Sequence, residues 1–198
     1  FFFFKSTGIT DIIIVDDAST DNSVAYLKET FPEIKVLINT TNQGFSYTCN
    51  KGAKEANESI LLFLNTDMLP KKLDSQFIIN QFKNPTLFAL SPKIERRDKA
   101  GIIINEAITT GFFKGGWFSA EVTPDYENNK NTSPFPVLWA CGGACFIDKK
   151  KFNTLSGFDT AFAPFYCEDL DISYRAWKQG WEILYTSETS FFHKHQAT

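Results

Sequence analysis

The feature of this sequence that most directly suggests chemistry is one acidic residue at the end of an apolar run. Asp67 follows the apolar residues Ile60–Leu64, and Pro70 stops any continuation of that segment. Such a run is typical of a strand buried on both faces, as in parallel sheets. Because ligands of open α/β sheets bind at the carboxyl ends of strands, Asp67 is expected to lie where an ion or a phosphate binds. Acidic residues after strands are also common turn formers, so this position alone decides nothing.

Two further acids, Asp16 and Asp17, follow another predicted strand, over residues 11–15. Carboxylates at this edge of the sheet could accept hydrogen bonds from the N–H of a uracil-type base or from ribose hydroxyls. The structural alternative is an acidic helix start, in which negative charge complements the helix dipole. That alternative explains Asp21 well, but it does not explain two adjacent acids at the strand terminus.

A third acidic group, Glu168-Asp169-Leu170-Asp171, opens a predicted helix. Complementation of the helix dipole is a sufficient explanation for Asp171. Glu168 and Asp169 differ because they follow an aromatic run over residues 163–167 that could wall a pocket and partly desolvate a carboxyl group. Desolvation and nearby like charges both raise a carboxyl pKa, which suits abstraction of a proton from an alcohol.

The chain contains two histidines, His193 and His195. Spaced by two on a strand, they would face the same side of the sheet. A solvated histidine near a chain end is the ordinary alternative to a metal ligand. One imidazole together with an oxygen of Asp67 would suit Mn²⁺ or Mg²⁺ that also keeps waters and diphosphate oxygens as ligands.

Alternating strand and helix patterns position these residues. Strand, helix, strand, helix, strand is the rhythm of a Rossmann-like α/β fold with a mixed, mostly parallel sheet flanked by helices. Ser19 or Thr20 is expected to cap the first of these helices, which runs up to Pro32. The patterns predict strands over 11–15, 34–38, 60–64, 87–90, 182–186 and 190–193, and helices ending near residue 5 and over 45–57, 71–82, 149–155 and 168–178.

Between residues 93 and 135 the pattern degrades into predicted strands and loops, with a mobile surface loop over 127–133. No linker of domain-boundary quality is present. A chain of 198 residues is therefore predicted to form a single domain with a substantial core.

Composition excludes several classes of protein. An apolar fraction of 43% and a charged fraction of 22% indicate a globular chain. A net charge of −3 argues against a nucleic-acid partner. No apolar run reaches the roughly 20 residues that span a bilayer. The four cysteines lack CxxC spacing, so reduced, mostly buried thiols in a cytosolic protein are expected rather than zinc ligands or disulfides.

The ordered set of motifs resembles family 2 glycosyltransferases, in particular the rhamnosyltransferase-like branch with the GT-A fold. The resemblance covers nearly the whole chain and is weakest over residues 93–135. No single motif is decisive, but their order and spacing together are a strong signal. The motifs are Asp16-Asp17-Ala18-Ser19, Asn42-Gln43-Gly44, Asn65-Thr66-Asp67, Gly142-Gly143-Ala144, Gly157-Phe158-Asp159 and Glu168-Asp169-x-Asp171.

The resemblance implies a role for each of these positions. Residues 1–92 would bind the nucleotide sugar, and residues 93–198 would bind the acceptor and carry the catalytic base. Asp67 would bind the metal that bridges the diphosphate, and His193 matches a histidine near that metal. Asp169 would be the general base, supported by Glu168. Nucleotide contacts would come from Asp16 or Asp17, Asn42, Gly44 and Asn65, and the acceptor side would be lined by Gly142, Gly143 and Ala144.

The sequence departs from the family pattern at two points, and both affect the roles that the resemblance implies. The metal motif begins with Asn65 where many relatives have aspartate, which leaves Asp67 as its only charged ligand. The family also opens with a strand that ends in a nucleotide-contacting turn, and this sequence begins after it. We therefore expect the 198 residues to be a fragment of a longer chain that lacks the N-terminal strand.

The sequence thus predicts a metal-dependent inverting glycosyltransferase that moves a sugar from a nucleotide-diphosphate sugar to a hydroxyl acceptor. The resemblance implies a glycan or lipid-linked acceptor in cell-surface glycan synthesis, and a cytoplasmic protein that can associate peripherally with the inner face of the membrane. A non-catalytic module that binds a sugar nucleotide or a partner protein is the main alternative. A phospho-receiver domain also has an acidic pair and a strand-end acid, but it would end near residue 125 and has aspartate where Asn65 stands.

Overall fold

The computed structural model describes residues 2–123, 134–164 and 166–194. Its helices are α1 (Phe2–Ser6), α2 (Ser23–Thr30), α3 (Phe45–Glu55), α4 (Ser75–Gln81), α5 (Lys149–Thr154) and α6 (Glu168–Lys178). Its strands are β1 (Ile13–Asp16), β2 (Lys35–Ile38), β3 (Ile60–Leu64), β4 (Met68–Lys72), β5 (Leu87–Arg97), β6 (Ile103–Asn105), β7 (Thr109–Lys114), β8 (Trp117–Val122), β9 (Phe135–Pro136), β10 (Ala144–Asp148) and β11 (Glu182–His193). The predicted loop over 127–133, Phe165 and His195 lie outside the described residues.

The strands form a mixed α/β arrangement, as predicted. The largest sheet has the order β3-β10-β5-β11-β4, with β6 paired to β5 and β9 paired to β11. Strands β1 and β2 form a separate parallel pair, and β7 and β8 form a separate hairpin. Parallel pairing is less common than predicted: β1 with β2 and β5 with β11 are parallel, while the other described pairings are antiparallel. Two of the antiparallel pairings arise because β10 lies between β3 and β5.

Three local predictions are wrong. The segment predicted as a helix over 71–82 contains helix α4, but its first two residues belong to strand β4. This strand tolerates Pro70 because it lies at the sheet edge and, among the described strands, pairs only with β11. Helix α2 starts at Ser23, not after a cap at Ser19 or Thr20. Ser19 N donates to Asp16 Oδ2, and Asp21 Oδ1 accepts from Ser23 N at the start of the helix. The two closing strands are one long strand, β11, with register shifts along it.

Aromatic packing joins α3 to the large sheet. Phe158 is 2% exposed, and its ring lies 5.2 Å from that of Phe63 on β3 and 5.3 Å from that of Phe152 on α5. Phe45, the first residue of α3, packs on the same ring at 5.9 Å. Phe158 therefore fixes the N-terminus of α3 against the end of the sheet where the predicted site residues lie.

Asn50 of α3 adds a polar clamp to this contact. Its side chain donates to Phe158 O at 2.8 Å and accepts from Phe158 N at 2.9 Å. Gly157 has φ +74°, and a Cβ added there would lie 2.4 Å from Asn50 Oδ1. Replacing Gly157 would therefore both strain the backbone and break the clamp.

We expect Gly157→Ala to lower the free energy of unfolding by about 2–4 kcal/mol, measured by urea denaturation. Gly180→Ala is the matched control, because Gly180 has φ +76° and nothing within 4 Å of the added Cβ. The control should lose only the backbone term, about 1 kcal/mol. Equal losses in the two variants would show that the Asn50 clamp contributes nothing.

Candidate active site

The two acidic residues at the end of β1, Asp16 and Asp17, lie in different environments. Asp17 accepts hydrogen bonds from Asn39 Nδ2 at 2.7 Å, Gln43 N at 2.8 Å and Gly44 N at 2.8 Å. Burial tends to raise the pKa of Asp17, but these hydrogen bonds together outweigh it and hold that pKa below its ordinary value. Asp17 therefore stays ionised and ties the strand end to the loop that carries Asn42 and Gly44.

Asp16 is more deeply buried than its neighbour. It is 8% exposed, and its Oδ2 accepts from Ser19 N at 3.1 Å. Its backbone carbonyl accepts from Asn39 N at 2.9 Å, which joins the ends of β1 and β2. The nucleotide-binding role of Asp16 or Asp17 stays a prediction. The structure places Asp17, the neighbour of Asp16, in contact with the loop over residues 42–44.

The loop over residues 42–44 also contacts the segment that precedes α6. Asn42 Oδ1 accepts from Gly44 N at 3.2 Å, and Phe45 N donates to Pro164 O at 3.3 Å. Gly44 has φ +81°, and a Cβ added there would lie 3.2 Å from Pro164 O. Glycine at this position therefore permits both the left-handed backbone and the close approach of the two segments.

The end of β3 lies against the glycine pair that precedes β10. In the antiparallel register Leu64 faces Ala144, and Asn65 N donates to Gly143 O at 2.9 Å. Gly142 N in turn donates to Asp169 Oδ2 at 3.0 Å. This chain of contacts brings three predicted parts together, namely the metal motif, the glycine pair and the acidic helix start.

One member of the predicted acceptor lining does not fit that role. Ala144 is fully buried within β10, so its side chain contacts the core and not a bound acceptor. A Cβ added at Gly142 would lie 3.5 Å from Asp169 Oδ2, so this glycine is the closest of the set to the candidate base. The prediction for Ala144 is wrong, because its side chain is fully buried where β10 lies between β3 and β5.

Asp169 and Glu168 are carboxyl groups with raised pKa values. Burial is the largest cause for Asp169, opposed by hydrogen bonds from Gly142 N and from Leu170 N, the latter to Oδ1 at 2.8 Å. Burial also raises the pKa of Glu168, and the nearby Asp169 charge adds to it. Glu168 is 5% exposed, and its Oε2 has no hydrogen-bond partner among the described residues. A raised pKa is the property that a proton acceptor for an alcohol needs.

Asp171, the third acid of the motif, has a structural role. Its carboxylate binds Arg175 one helical turn later, with Oδ2 2.6 Å from Arg175 Nη2. The same guanidinium donates to Gly157 O at 3.0 Å and to Leu155 O at 2.6 Å. Asp171 thus anchors α6 to the turn that carries Phe158.

Asp67 and His193 lie side by side at the end of β3 and the end of β11. His193 Nε2 is 3.1 Å from Asp67 Oδ2, and Lys194 N donates to Asp67 O at 2.9 Å. Asp67 Oδ1 is buried and has no hydrogen-bond partner in the part of the chain that is described. The other imidazole nitrogen, Nδ1, is 2.8 Å from Glu106 Oε2.

This pair fits a divalent cation that takes its remaining ligands from elsewhere. A carboxylate oxygen and an imidazole nitrogen 3.1 Å apart are compatible with an N–H hydrogen bond between them or with a metal ion that both bind. The orphaned Asp67 Oδ1 is a further oxygen donor. Across residues 2–123, 134–164 and 166–194 no group of three or more such side chains could hold a metal ion, so waters or ligand oxygens would complete the coordination.

One surface depression lies away from these residues. It is lined by Ser59, Asp148 and Lys149 among others, at the start of β3 and the end of β10. The side chains that could do chemistry lie at the opposite ends of these two strands. The depression therefore contains none of the candidate site residues.

The cysteines are free, as predicted. Burial raises the pKa of Cys141 to about 12 and raises the pKa values of Cys49 and Cys145 as well. Cys167 differs in being exposed, at the residue before α6. Three of the four thiols are thus held protonated and unreactive.

The arrangement can be compared with known proteins. Residues 6–155 match the family model described as Glycosyl transferase family 2. The chain belongs to that family. The predicted family is therefore confirmed, and the phospho-receiver alternative fails, because β10 and β11 from beyond residue 125 supply central strands of the largest sheet.

Sequence relatives of this family 2 chain are distant. It is 27% identical over 183 residues to human polypeptide N-acetylgalactosaminyltransferase 16, covering 87% of this chain and 32% of that protein. It is 23% identical over 209 aligned positions to the N-acetylglucosaminyl-diphospho-decaprenol L-rhamnosyltransferase of Mycobacterium tuberculosis, covering 94% of this chain and 66% of the relative. The chain thus spans about one third and about two thirds of these relatives.

A solved structure confirms the GT-A fold. The structure described as GalNAc-T7 with UDP, GalNAc and Mn²⁺ superposes with a TM-score of 0.70 at 19% identity, over 94% of this chain and 38% of the other. Among the described residues of this family 2 chain, no helix has the length and apolar composition needed to cross a bilayer.

Sequence reasoning missed two residues that contact the candidate site of this family 2 chain. Asn39 is 5% exposed and binds Asp17, and its Oδ1 accepts from Lys51 Nζ at 2.7 Å. Its position directly after β2, as Asp16 and Asp67 stand at other strand ends, could have marked it. Glu106 lies in the poorly patterned region, where nothing in the sequence relates it to His193.

Proposed function

We propose that this chain carries the core of a metal-dependent inverting glycosyltransferase that moves a sugar from a nucleotide-diphosphate sugar to a hydroxyl acceptor. The observation that carries the proposal is the chain of contacts from Asn65 N to Gly143 O and from Gly142 N to Asp169 Oδ2. Asn65 is two residues before Asp67, so these contacts link the pair of Asp67 and His193 to the carboxyl group of Asp169, whose pKa is raised. A direct displacement at the anomeric carbon needs one base and one stabiliser of the leaving group, and this arrangement offers one of each.

Asp169 is the proposed base. Gly142 N and Leu170 N hold its two carboxylate oxygens in place and leave lone pairs available to an incoming hydroxyl. As the acceptor oxygen attacks the anomeric carbon, its proton passes to Asp169 and the bond to the diphosphate breaks. Gly142 has no side chain to cover the carboxyl, so the acceptor can come close.

Asp67 and His193 are the proposed protein ligands of Mn²⁺ or Mg²⁺. Such an ion, when bound, supplies Lewis-acid stabilisation of the charge that develops on the leaving diphosphate. Asp67 contributes a carboxylate whose Oδ1 is otherwise unpaired, and His193 contributes an imidazole oriented by Glu106. The GalNAc-T7 structure is described with UDP and Mn²⁺, which supports this choice of ligand and ion.

The names of two relatives bear on the class of acceptor. The mycobacterial relative is named for a diphospho-decaprenol-linked sugar acceptor, and the human relative for a polypeptide. We propose a glycan or lipid-linked hydroxyl acceptor in cell-surface glycan synthesis. A cytoplasmic position at the inner face of the membrane is part of this proposal.

Ligand-induced stabilisation tests the donor site. With Mn²⁺ present, UDP or GDP at about one hundred times its Kd should add about 2.7 kcal/mol to the free energy of unfolding. For a chain of this size that corresponds to a rise in Tm of roughly 5–10 °C, measured by differential scanning fluorimetry. Mn²⁺ alone and UMP with Mn²⁺ are the controls, since neither offers a diphosphate with a bridging ion.

The absence of a shift with either nucleoside diphosphate, with or without Mn²⁺, would contradict the proposed donor site. Binding of UDP and Mn²⁺ without nucleotide release from any nucleotide sugar, over a wide panel of acceptors, would instead favour a non-catalytic sugar-nucleotide-binding module. The two measurements therefore separate loss of the site from loss of the reaction.

A further inference from the structure

Glu106 joins the candidate metal site to a part of the fold that none of the sequence motifs covers. It lies between β6 and β7, and its backbone N donates to Ile94 O of β5 at 2.8 Å. Its Oε2 is 2.8 Å from His193 Nδ1, and its Oε1 accepts from Arg96 Nε. Both carboxylate oxygens therefore have directed partners, one of which is the proposed metal ligand.

The chemistry of the two groups fixes the orientation of the ring. An ionised carboxylate has only acceptor lone pairs, so the imidazole nitrogen that faces Glu106 carries a proton. In the neutral ring the remaining lone pair is then on Nε2, which lies 3.1 Å from Asp67 Oδ2. A carboxylate behind a histidine in this way fixes the tautomer and the ring orientation of a metal ligand.

Arg96 in turn fixes the carboxylate. Its guanidinium binds the oxygen of Glu106 that does not face His193, and a planar guanidinium holds a carboxylate in a defined orientation. The side chains of Arg96, Glu106 and His193 are 30%, 21% and 17% exposed. Exposure therefore decreases along this series of contacts, from Arg96 to the proposed metal ligand His193. Strand β5, the segment after β6, and strand β11 each supply one member.

We infer that Glu106 is a positioning residue, which holds His193 in its Nδ1–H tautomer with Nε2 turned toward a divalent cation at Asp67. The inference rests on the proposed function, since it assigns how one ligand of that site is oriented. Glu106 itself does not contact the cation. Arg96 supports the same orientation from one step further away.

Manganese affinity tests the inference. In the presence of UDP, Glu106→Gln should weaken Mn²⁺ binding by roughly 10- to 100-fold, measured from the electron paramagnetic resonance signal of free Mn²⁺. Glu95→Gln is the matched control, because it removes the same charge from the adjoining strand, where Glu95 pairs with Lys71 and Lys93. We expect the control to retain wild-type Mn²⁺ affinity.

The tautomer can be read directly from the unmodified protein. The chain has two histidines, so ¹⁵N spectra of the imidazoles with UDP and the diamagnetic Mg²⁺ contain two ring systems, which His195→Gln assigns. His193 should be protonated on Nδ1 in the wild-type chain. At a Mg²⁺ concentration that saturates the wild-type chain but not the variant, Glu106→Gln should show a mixture of tautomers, because a cation-free ring can carry its proton on either nitrogen and an amide can donate as well as accept.

Each outcome has one meaning. A wild-type His193 protonated on Nε2 alone would overturn the inference even if Glu106→Gln failed to fold, and so would unchanged Mn²⁺ affinity in a folded Glu106→Gln variant. If the wild-type chain itself did not bind Mn²⁺ with UDP, the proposed function would fail. The two failures are therefore distinguishable.

Discussion

Replacing Asp169 by asparagine is expected to lower turnover by roughly 10²-fold or more while leaving donor affinity close to that of the wild type. Asparagine keeps the size of the side chain but cannot take up the acceptor proton. The measurement is steady-state release of the nucleoside diphosphate, with donor binding followed separately by calorimetry. Because the proposed base acts only in the reaction step, a fall in kcat without a matching loss of donor affinity is the signature of this role.

Asp171→Asn is the matched control for that variant. Asp171 lies two residues further along α6, and its carboxylate pairs with Arg175 away from Gly142. It should lose some stability and keep most of its turnover. Retention of turnover by Asp169→Asn, or an equal loss in both variants, would contradict the assignment of Asp169 as the base.

The pH profile gives a second readout of Asp169. Its pKa is raised above the ordinary value of 3.8, chiefly by burial, so the carboxyl stays protonated to a higher pH than a free aspartate. A base works only when deprotonated, so kcat/KM should fall on acidification, and the fall should begin above the pH at which a solvated aspartate titrates. The residual activity of Asp169→Asn should lack this acidic limb.

Sequence reasoning placed the strand-end acids and the acidic helix start correctly, because local patterns mark them. The apolar run before Asp67 and the helical spacing after Asp169 each specify an element end, and the structure has β3 and α6 at those positions. The contacts between the ends could not be read from the sequence. They depend on β10 lying antiparallel beside β3, a pairing made by residues about 80 positions apart.

The misassigned segments show where local signals compete with tertiary ones. Pro70 predicts a stop, yet it lies within β4, an edge strand, where proline is tolerated. Glu106 gave no signal because a positioning residue is defined by its partner, and His193 is 87 residues away. A sequence motif also does not show which of its side chains are buried. The motif Gly142-Gly143-Ala144 therefore groups Ala144 with two glycines whose surroundings differ from its own.

Replacing Asp67 by asparagine is expected to have the second of the two largest effects, a loss of roughly 10²-fold or more in turnover together with a large loss of Mn²⁺ affinity. The substitution removes the charged ligand of the pair and leaves His193 facing a neutral amide, so stabilisation of the leaving diphosphate, worth several kcal/mol, is lost. Mn²⁺ titration in the presence of UDP and the dependence of kcat on Mn²⁺ concentration measure the two effects.

Glu188→Gln on β11 is the control, since the Glu188 carboxylate forms an exposed ion pair with Lys72 and its loss should change neither quantity. Unchanged Mn²⁺ affinity in Asp67→Asn would move the cation to other ligands and end the assignment of Asp67 and His193 as its site.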